Sequence, residues 1–569
     1  MQPLTQSQKA RIAIKIIKTT MDALALRGYY KPSGRSGQTL AEGLRMLSPE
    51  IYGSMNSPRI IELKGLEYVI ERLPRGIEKC NRIIVTAQEE LEDTSFEKVM
   101  PPKRRRTSYR VNEKEICFVI TRGLSEIYDI LTHVTFLDIE ANKIFNQMKD
   151  REGNPTREWK ELDKIIAQES KLSGDQLDKA IWNLSILLGR TFHETKETYD
   201  FLEKYSDNEK NINVLFHIIY DLGKRVEAEK QDKDNQLLIS FTPALKDLIG
   251  TQRYSEKWAH DIKMKIHELG LRNRPLHIIS ANLHSIVNTL YAYGSLAPAA
   301  KKKSETDLYD FIIKMRDKHQ AVKTFATGHG FHELPDTSGT HIDCQLIDTA
   351  HLSAVMFHPD LKIDKAYIKK EQPLLLVMDY AFGEQAFEAM DELLEPDNTG
   401  DLQIVFDTRS ISIMGKAGIL PGKKGDIMLA TAHVFEGTAH NYMVDNDMKK
   451  EDFEEGADVY VGPIITVFGT SLQNRDLLTR FQGSSWKAVG LEMEGGHYQR
   501  AITSAIIRGH IAPDVKTRYA YYASDNPLVS GQTLSSGSMG LEGIKPTYMI
   551  SKIILEKILG PRPENDICK

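Results

Sequence analysis

The feature that most constrains this chain is a local order repeated beyond residue 320: a short apolar run, a glycine-bearing turn, then a helical pattern. LLLVM at 374–378 precedes a loop with Gly383 and the helical run AFEAMDELL. ISIM at 411–414 precedes GKAG at 415–418, and Gly425-Asp426 introduces IMLA at 427–430. VYVGPIIT at 459–466 reads as another strand, AVGL at 488–491 runs into EMEGG and a helix, and YAYYA at 519–523 runs into SDNPL. Short apolar strands alternating with helices predict an α/β domain over 321–569, with a mixed or largely parallel central sheet flanked by helices. In that class ligands gather at the C-terminal ends of the strands.

The first 320 residues have a different grammar. Ile14, Ile17, Met21 and Leu24 share one helical face that Gly28 can end. Leu177, Ile181, Leu184 and Leu188 repeat the pattern, with Asp175, Asp178 and Lys179 placed for water. Similar stretches occur near 60–93, 112–149, 208–230, 255–269 and 277–296, and strand signals are few. The expectation for 1–320 is a large, mostly α-helical region of unassigned role, a bundle or stacked array without a clear repeat period. The basic run PPKRRRTSYR at 101–110 reads as an exposed loop between helices, ahead of a phosphate or nucleic-acid contact, because its surroundings are not basic.

Charge and cysteine usage narrow the classes further. Lys and Arg number 74 against 79 Asp and Glu, a net charge of −5, which exerts no global pull toward nucleic acid or anionic membrane. Cys80, Cys117, Cys344 and Cys568 are scattered, so neither a disulfide scaffold nor a zinc module is implied. The N-terminal apolar segment is interrupted by Lys15 and Lys18, and no later window holds about 18 uncharged apolar residues. The expectation is a soluble, cytoplasmic protein without nucleic-acid or membrane partners.

Three strand-end clusters carry chemistry. GKAG supplies Gly415 and Gly418 just beyond an apolar run, a weak signal, since glycine turns end many strands. In EMEGG, Glu492 and Glu494 flank Met493, and the glycines allow close approach of backbone or ligand. A carboxylate accepts two hydrogen bonds from a vicinal diol and methionine makes an adaptable apolar floor, a combination suited to ribose. The competing explanation is a helix-start carboxylate favoured by the dipole. Asp525, beside Ser524, follows an aromatic run; burial there would raise its pKa and fit it for proton donation, unless it only caps the turn before Pro527.

Taken in order, GKAGIL, GDIML, VGPIIT, GLEMEGG and ASDNPL resemble the nucleoside phosphorylase/nucleosidase superfamily over roughly residues 320–560. The SD-x-PL form and the large N-terminal region are most similar to AMP nucleosidases. The resemblance implies cleavage of the N-glycosidic bond of a purine nucleoside or nucleotide. It assigns the ribose hydroxyls to Glu494, the floor of the sugar site to Met493, and protonation of the leaving base to Asp525 beside Ser524. Lys416 stands where the family commonly has a small hydroxyl residue, and with Gly415 it is a candidate for phosphate. Glu384 occupies a loop expected to hold small residues. The aromatic that stacks on the base is out of register: Thr470 falls near its place, with Phe468 two residues earlier as the candidate.

The family's first loop is expected after a strand-like run at 322–326, in TGHGFHELPD. That loop has no arginine of the phosphorolytic kind, whereas Glu333 falls where hydrolytic relatives carry a water-activating glutamate, which favours hydrolysis. His329, His332, His341, Asp343, Cys344 and His351 lie nearby, but an HxxH without a helix or third fixed ligand assigns no metal. No cofactor is expected. Family members usually complete their sites across subunits, so a homo-oligomer is expected. The alternatives are a self-assembling scaffold built on a nucleosidase-like domain, motivated by the large helical half, and a nucleotide sensor without turnover.

Overall fold

The computed structural model describes residues 4–87, 90–103, 106–168, 170–204, 213–296, 307–399, 402–529 and 539–561. Its chain divides into two units, Met1–Thr251 with Gly469–Leu477, and Gln252–Phe468 with Leu478–Lys569.

The first unit is predominantly helical, as its periodicity requires. Helix Gln6–Arg27 starts in a capping box between Thr5 and Gln8, buries Ile14, Ile17, Met21 and Leu24, and ends where Gly28 adopts φ 90°. Helix Gly174–Leu188 buries Ile181, Leu184 and Leu188. The helical reading missed a six-stranded sheet: β1 (Tyr29–Tyr30), β2 (Arg82–Thr86), β3 (Glu97–Lys98), β4 (Ser108–Asn112), β5 (Glu115–Val119) and β6 (Leu238–Phe241). Their order is β1-β6-β2-β5-β4-β3, with β2 parallel to both β5 and β6. None exceeds five residues. A buried run that short has the same local pattern as a piece of buried helix.

The basic run is not the exposed loop expected. Ser108 to Arg110 lie in β4, and Arg106 is 2% exposed. Arg106 bonds Glu126 at 3.1 Å and Asp129 at 2.8 Å, while Lys103 meets Glu71 at 2.7 Å. Arg104 and Arg105 lie outside the described residues. Burial of a guanidinium demands such carboxylates, and Glu126 and Asp129 come from the long helix Leu124–Met148.

The second unit begins at Gln252 rather than at 321. Its first strand, β7 (Pro275–Ser280), overlaps the start of the stretch near 277–296 read as helix, and the helix proper is Leu283–Leu296. There follow β8 (Phe331–Leu334), β9 (Cys344–Asp348), β10 (Leu374–Met378) and the small hairpin β11 (Asp397–Thr399) and β12 (Leu402–Ile404). The remaining strands are β13 (Asp407–Ile419), β14 (Ile427–Phe435), β15 (Asn441–Met443), β16 (Val459–Thr466), β17 (Gly490–Glu492) and β18 (Lys516–Asp525).

The large sheet is mixed and runs β15-β14-β16-β17-β13-β7-β10-β9-β8, with β18 bridging β13 and β14. Strands β13, β18, β14, β16 and β17 therefore close into a ring, because β17 pairs back onto β13. Helices cover both faces, and alternate residues of β10 serve different cores. Leu375 and Val377 pack with Leu290 and Ile550 on one side, and Leu374 and Leu376 with Ile262, Ala389 and Ile502 on the other. Burial on both faces is why the strand is apolar throughout.

Candidate active site

The GKAG residues do not form a turn beyond a strand. They lie within β13, where the register with β18 shifts between Ala417 and Gly418. Gly418 pairs with Asp525 of β18 on one side and with Leu491 of β17 on the other. A side chain there would press on Leu491 at 3.0 Å, so the glycine lets the two flanking strands close in. The two most chemical sequence clusters, GLEMEGG and ASDNPL, are thus brought to opposite sides of one residue.

The helix-start role, the competing explanation for the EMEGG carboxylates, is performed by Glu492. This carboxylate ends β17, is 6% exposed, and accepts the Glu494 N–H at 2.6 Å and the Gly495 N–H with one oxygen. Its other oxygen accepts the Thr466 hydroxyl at 2.7 Å, and Thr466 Oγ1 in turn accepts the Gly496 N–H at 3.1 Å. The first amides of helix Gly495–Arg508 are satisfied without the Glu494 side chain, which makes no cap bond. Burial works to raise the Glu492 carboxyl, but His433, the Gly495 N–H and the Thr466 hydroxyl outweigh it and hold the group below its usual range. The glycines of EMEGG are steric: a Cβ on Gly495 would lie 2.2 Å from the Tyr521 hydroxyl and 2.3 Å from His433 Cε1.

Glu494 is half-buried, and its Oε1 accepts the N–H of Gly383 at 3.0 Å. Gly383 sits at φ 58° in the loop after β10, a left-handed conformation that favours glycine. Met493 is buried with Leu420, Ile465, Val467 and Leu491, and Phe382 packs against that cluster.

Asp525 is likewise spared the turn it was a candidate to cap. Asn526 holds that turn: its Oδ1 accepts the Leu528 N–H at 2.9 Å, and its Nδ2 donates to the carbonyls of Leu420 and Gly422. Asp525, 8% exposed, receives the Ser524 hydroxyl at 2.5 Å, and Ser524 Oγ also lies 3.1 Å from the Ala417 carbonyl. Gly415 is buried, with room for a Cβ at 3.7 Å from Tyr380, while Lys416 is exposed and pairs in register with Tyr522.

Phe468, two residues past β16, is half-buried, and its N–H donates to Glu436 at 3.3 Å. Thr470 belongs to the Gly469–Leu477 segment of the first unit, where its hydroxyl meets that of Tyr68 at 3.0 Å. Glu384 starts helix Gln385–Leu394 and lies 3.7 Å from Arg500.

Glu333 is the main correction. The run at 322–326 is part of helix His319–Thr327, and Glu333 lies on β8, the edge strand. Strands β7, β10 and β9 intervene between β8 and β13, about 20 Å at the usual strand spacing. The Glu333 side chain is 47% exposed and pairs with Lys323 at 2.6 Å. A five-residue offset from Gly328 resembles the motif, but the strand that lies beside β13 is β7.

The sequence reading missed Glu436, Tyr380 and His433. Burial pushes the Glu436 carboxyl up to about 7, against the lowering effect of the Phe468 N–H. Tyr380, 39% exposed, follows β10 beside Gly415. His433, fully buried on β14, lies 3.4 Å from Glu492 and packs edge-on to Tyr519 at 4.8 Å between centroids. Local pattern gives no signal for these, because each matters through a neighbour distant in sequence. Among the described residues no group of three His, Cys, Asp or Glu is placed to hold a metal ion, and no helix is long and apolar enough to cross a membrane. Cys80, Cys117 and Cys344 are buried and unbridged, while Cys568 lies outside the described residues.

A family of unknown function, DUF6909, matches residues 38–318 and 306–560, and the chain belongs to it. No curated protein matches the chain. Solved structures similar to it include a futalosine hydrolase mutant of Helicobacter pylori, 12% identical, covering 50% of this chain and 98% of that one, with a TM-score of 0.30. The 5′-methylthioadenosine/S-adenosyl homocysteine nucleosidase of Helicobacter pylori is 13% identical, with coverages of 50% and 97% and a TM-score of 0.30. Uridine phosphorylase of Schistosoma mansoni is 13% identical, with coverages of 54% and 88% and a TM-score of 0.29.

Proposed function

We propose that this protein cleaves the N-glycosidic bond of a purine nucleoside or nucleotide. The observation that carries the reading is the double pairing of Gly418, with Leu491 leading into Glu494 on one side and Asp525 on the other. In the proposed reaction the bond between the sugar's anomeric carbon and the base nitrogen breaks, its electron pair leaves with the base, and Asp525 supplies the base's proton. Glu494 accepts hydrogen bonds from the ribose hydroxyls and opposes the positive charge that grows on the sugar, while Met493 supports the ring. Ser524 orients Asp525, and Gly415, Lys416 and Phe468 line the substrate side.

Water or phosphate then captures the oxocarbenium-like sugar. Because Glu333 lies on the edge strand, it is not assigned the activation of water. The test is release of free base from AMP, adenosine, inosine and methylthioadenosine, each with and without phosphate. Release without phosphate identifies a hydrolase, of the AMP nucleosidase kind where AMP is the substrate cleaved, and phosphate-dependent release identifies a phosphorylase. No release from any of the four overturns the proposal. The homo-oligomer belongs to the same proposal, and light scattering that finds a monodisperse monomer at micromolar concentration removes it.

A further inference from the structure

We propose that Glu492, braced by Thr466 and His433, is the positioning residue that aims Glu494 at the substrate; the inference rests on the functional reading above. A helix start presents unpaired amides and attracts whichever carboxylate is nearest. EMEGG supplies two, and only one of them caps. Glu492 takes the amides of Glu494 and Gly495 directly, and that of Gly496 through the Thr466 hydroxyl. With the first turn satisfied, the Glu494 carboxylate reaches away from its own helix to the Gly383 N–H.

The brace is fitted to its surroundings on every side. A buried carboxylate is costly unless its oxygens are met by donors, and Glu492 is met on both. His433 lies 3.4 Å from the Thr466-bound oxygen, and its ring fills the space that the missing Cβ of Gly495 leaves. Register holds the arrangement from below, since Thr466 and Glu492 are partners between β16 and β17. Glu492 thus acts through the helix start: its bonds to the amides of Glu494 and Gly495 and to the Thr466 hydroxyl determine which way Glu494 points. Small errors in the placement of such a group are expensive in rate.

The test uses the full chain with Glu492→Gln and Thr466→Val, the latter retaining a residue that favours strands. In hydrogen-exchange mass spectrometry, both variants are expected to exchange about tenfold faster in the peptide spanning 380–386 as well as in 492–497, the size expected for losing one hydrogen bond. Faster exchange confined to 492–497 makes Glu492 a local cap and overturns the inference. If Glu492→Gln is recovered unfolded, Thr466→Val carries the same comparison.

The second arm compares kcat/KM for adenosine and 2′-deoxyadenosine. A mis-aimed Glu494 lowers the preference for the ribo substrate about tenfold, because the lost contact is to a hydroxyl. Equal losses on both substrates overturn the positioning role. A wild-type protein that releases no base defeats the functional reading alone, and the exchange arm still decides the positioning.

Discussion

The backbone N–H of Gly383 donates to Glu494 Oε1 at 3.0 Å, tying the loop after β10 to the start of the helix after β17. The bond shows what the second carboxylate of EMEGG does once the first has capped the helix. It also separates two explanations of Glu494, since a capping carboxylate and a ligand-facing one respond differently to substitution.

Glu494→Gln is expected to raise KM and lower kcat together while leaving melting nearly unchanged. The sugar contact exists in the ground state and strengthens as charge develops. Steady-state kinetics beside a thermal melt checks it. A stability loss of about 1 kcal/mol, the usual cost of removing a cap, with intact turnover would return Glu494 to a structural role.

Asp525→Asn keeps the shape of the side chain but removes the transferable proton. Turnover is expected to fall about 100-fold or more, with substrate binding retained. Because Asn526 holds the following turn, folding should survive. Single-turnover rates and calorimetric binding on the same preparation distinguish the outcomes; wild-type turnover in a folded variant ends the assignment.

Gly495→Ala places a methyl where Tyr521 and His433 already lie, at 2.2 and 2.3 Å. Overpacking of that kind costs about 1–3 kcal/mol. Gly483→Ala is the control, because nothing lies within 4 Å of its Cβ position. Urea titration should show a lowered midpoint for the first variant and no loss for the second.

Glu436 predicts a pH dependence of stability. Its carboxyl rises from 4.5 to about 7 on folding because it is buried, so the folded protein holds the proton more tightly than the unfolded chain. This contribution favours the folded state at low pH and is lost as pH climbs from about 4.5 through about 7. Glu436→Gln cannot lose it, so the variant should gain stability relative to wild type between pH 5 and 8, on the order of 2–3 kcal/mol. Chemical denaturation of both proteins across that range measures the difference, and parallel curves would show that Glu436 is not the group responsible.

Much of the framework around the candidate site was legible in local pattern. Strand β16 occupies the residues its apolar run marked, the apolar run at 374–378 is a strand buried on both faces, and Gly28 ends the first helix. EMEGG and SDNPL were visible because each sets acidic side chains directly after a short apolar run. Strand β7 was not, since six residues of mostly buried chain before a helix look like the helix's first turns. Glu333 was misplaced for a related reason: its offset from a glycine matched, but the run before that glycine is helical.

The sequence by itself determined the main alternation of strands and helices from β10 onward, and which side chains were available for chemistry. Those properties follow from periodicity and turn residues, which act over a few neighbours. Only the tertiary structure decided that Glu492 caps while Glu494 faces Gly383, that Asn526 holds the turn beside Asp525, and that Gly418 is shared between β17 and β18. Each of these depends on strand register and ring closure between segments far apart in the chain. The competition between two neighbouring carboxylates for one helix start is settled by Thr466 and His433, residues on other strands that local sequence does not bring together.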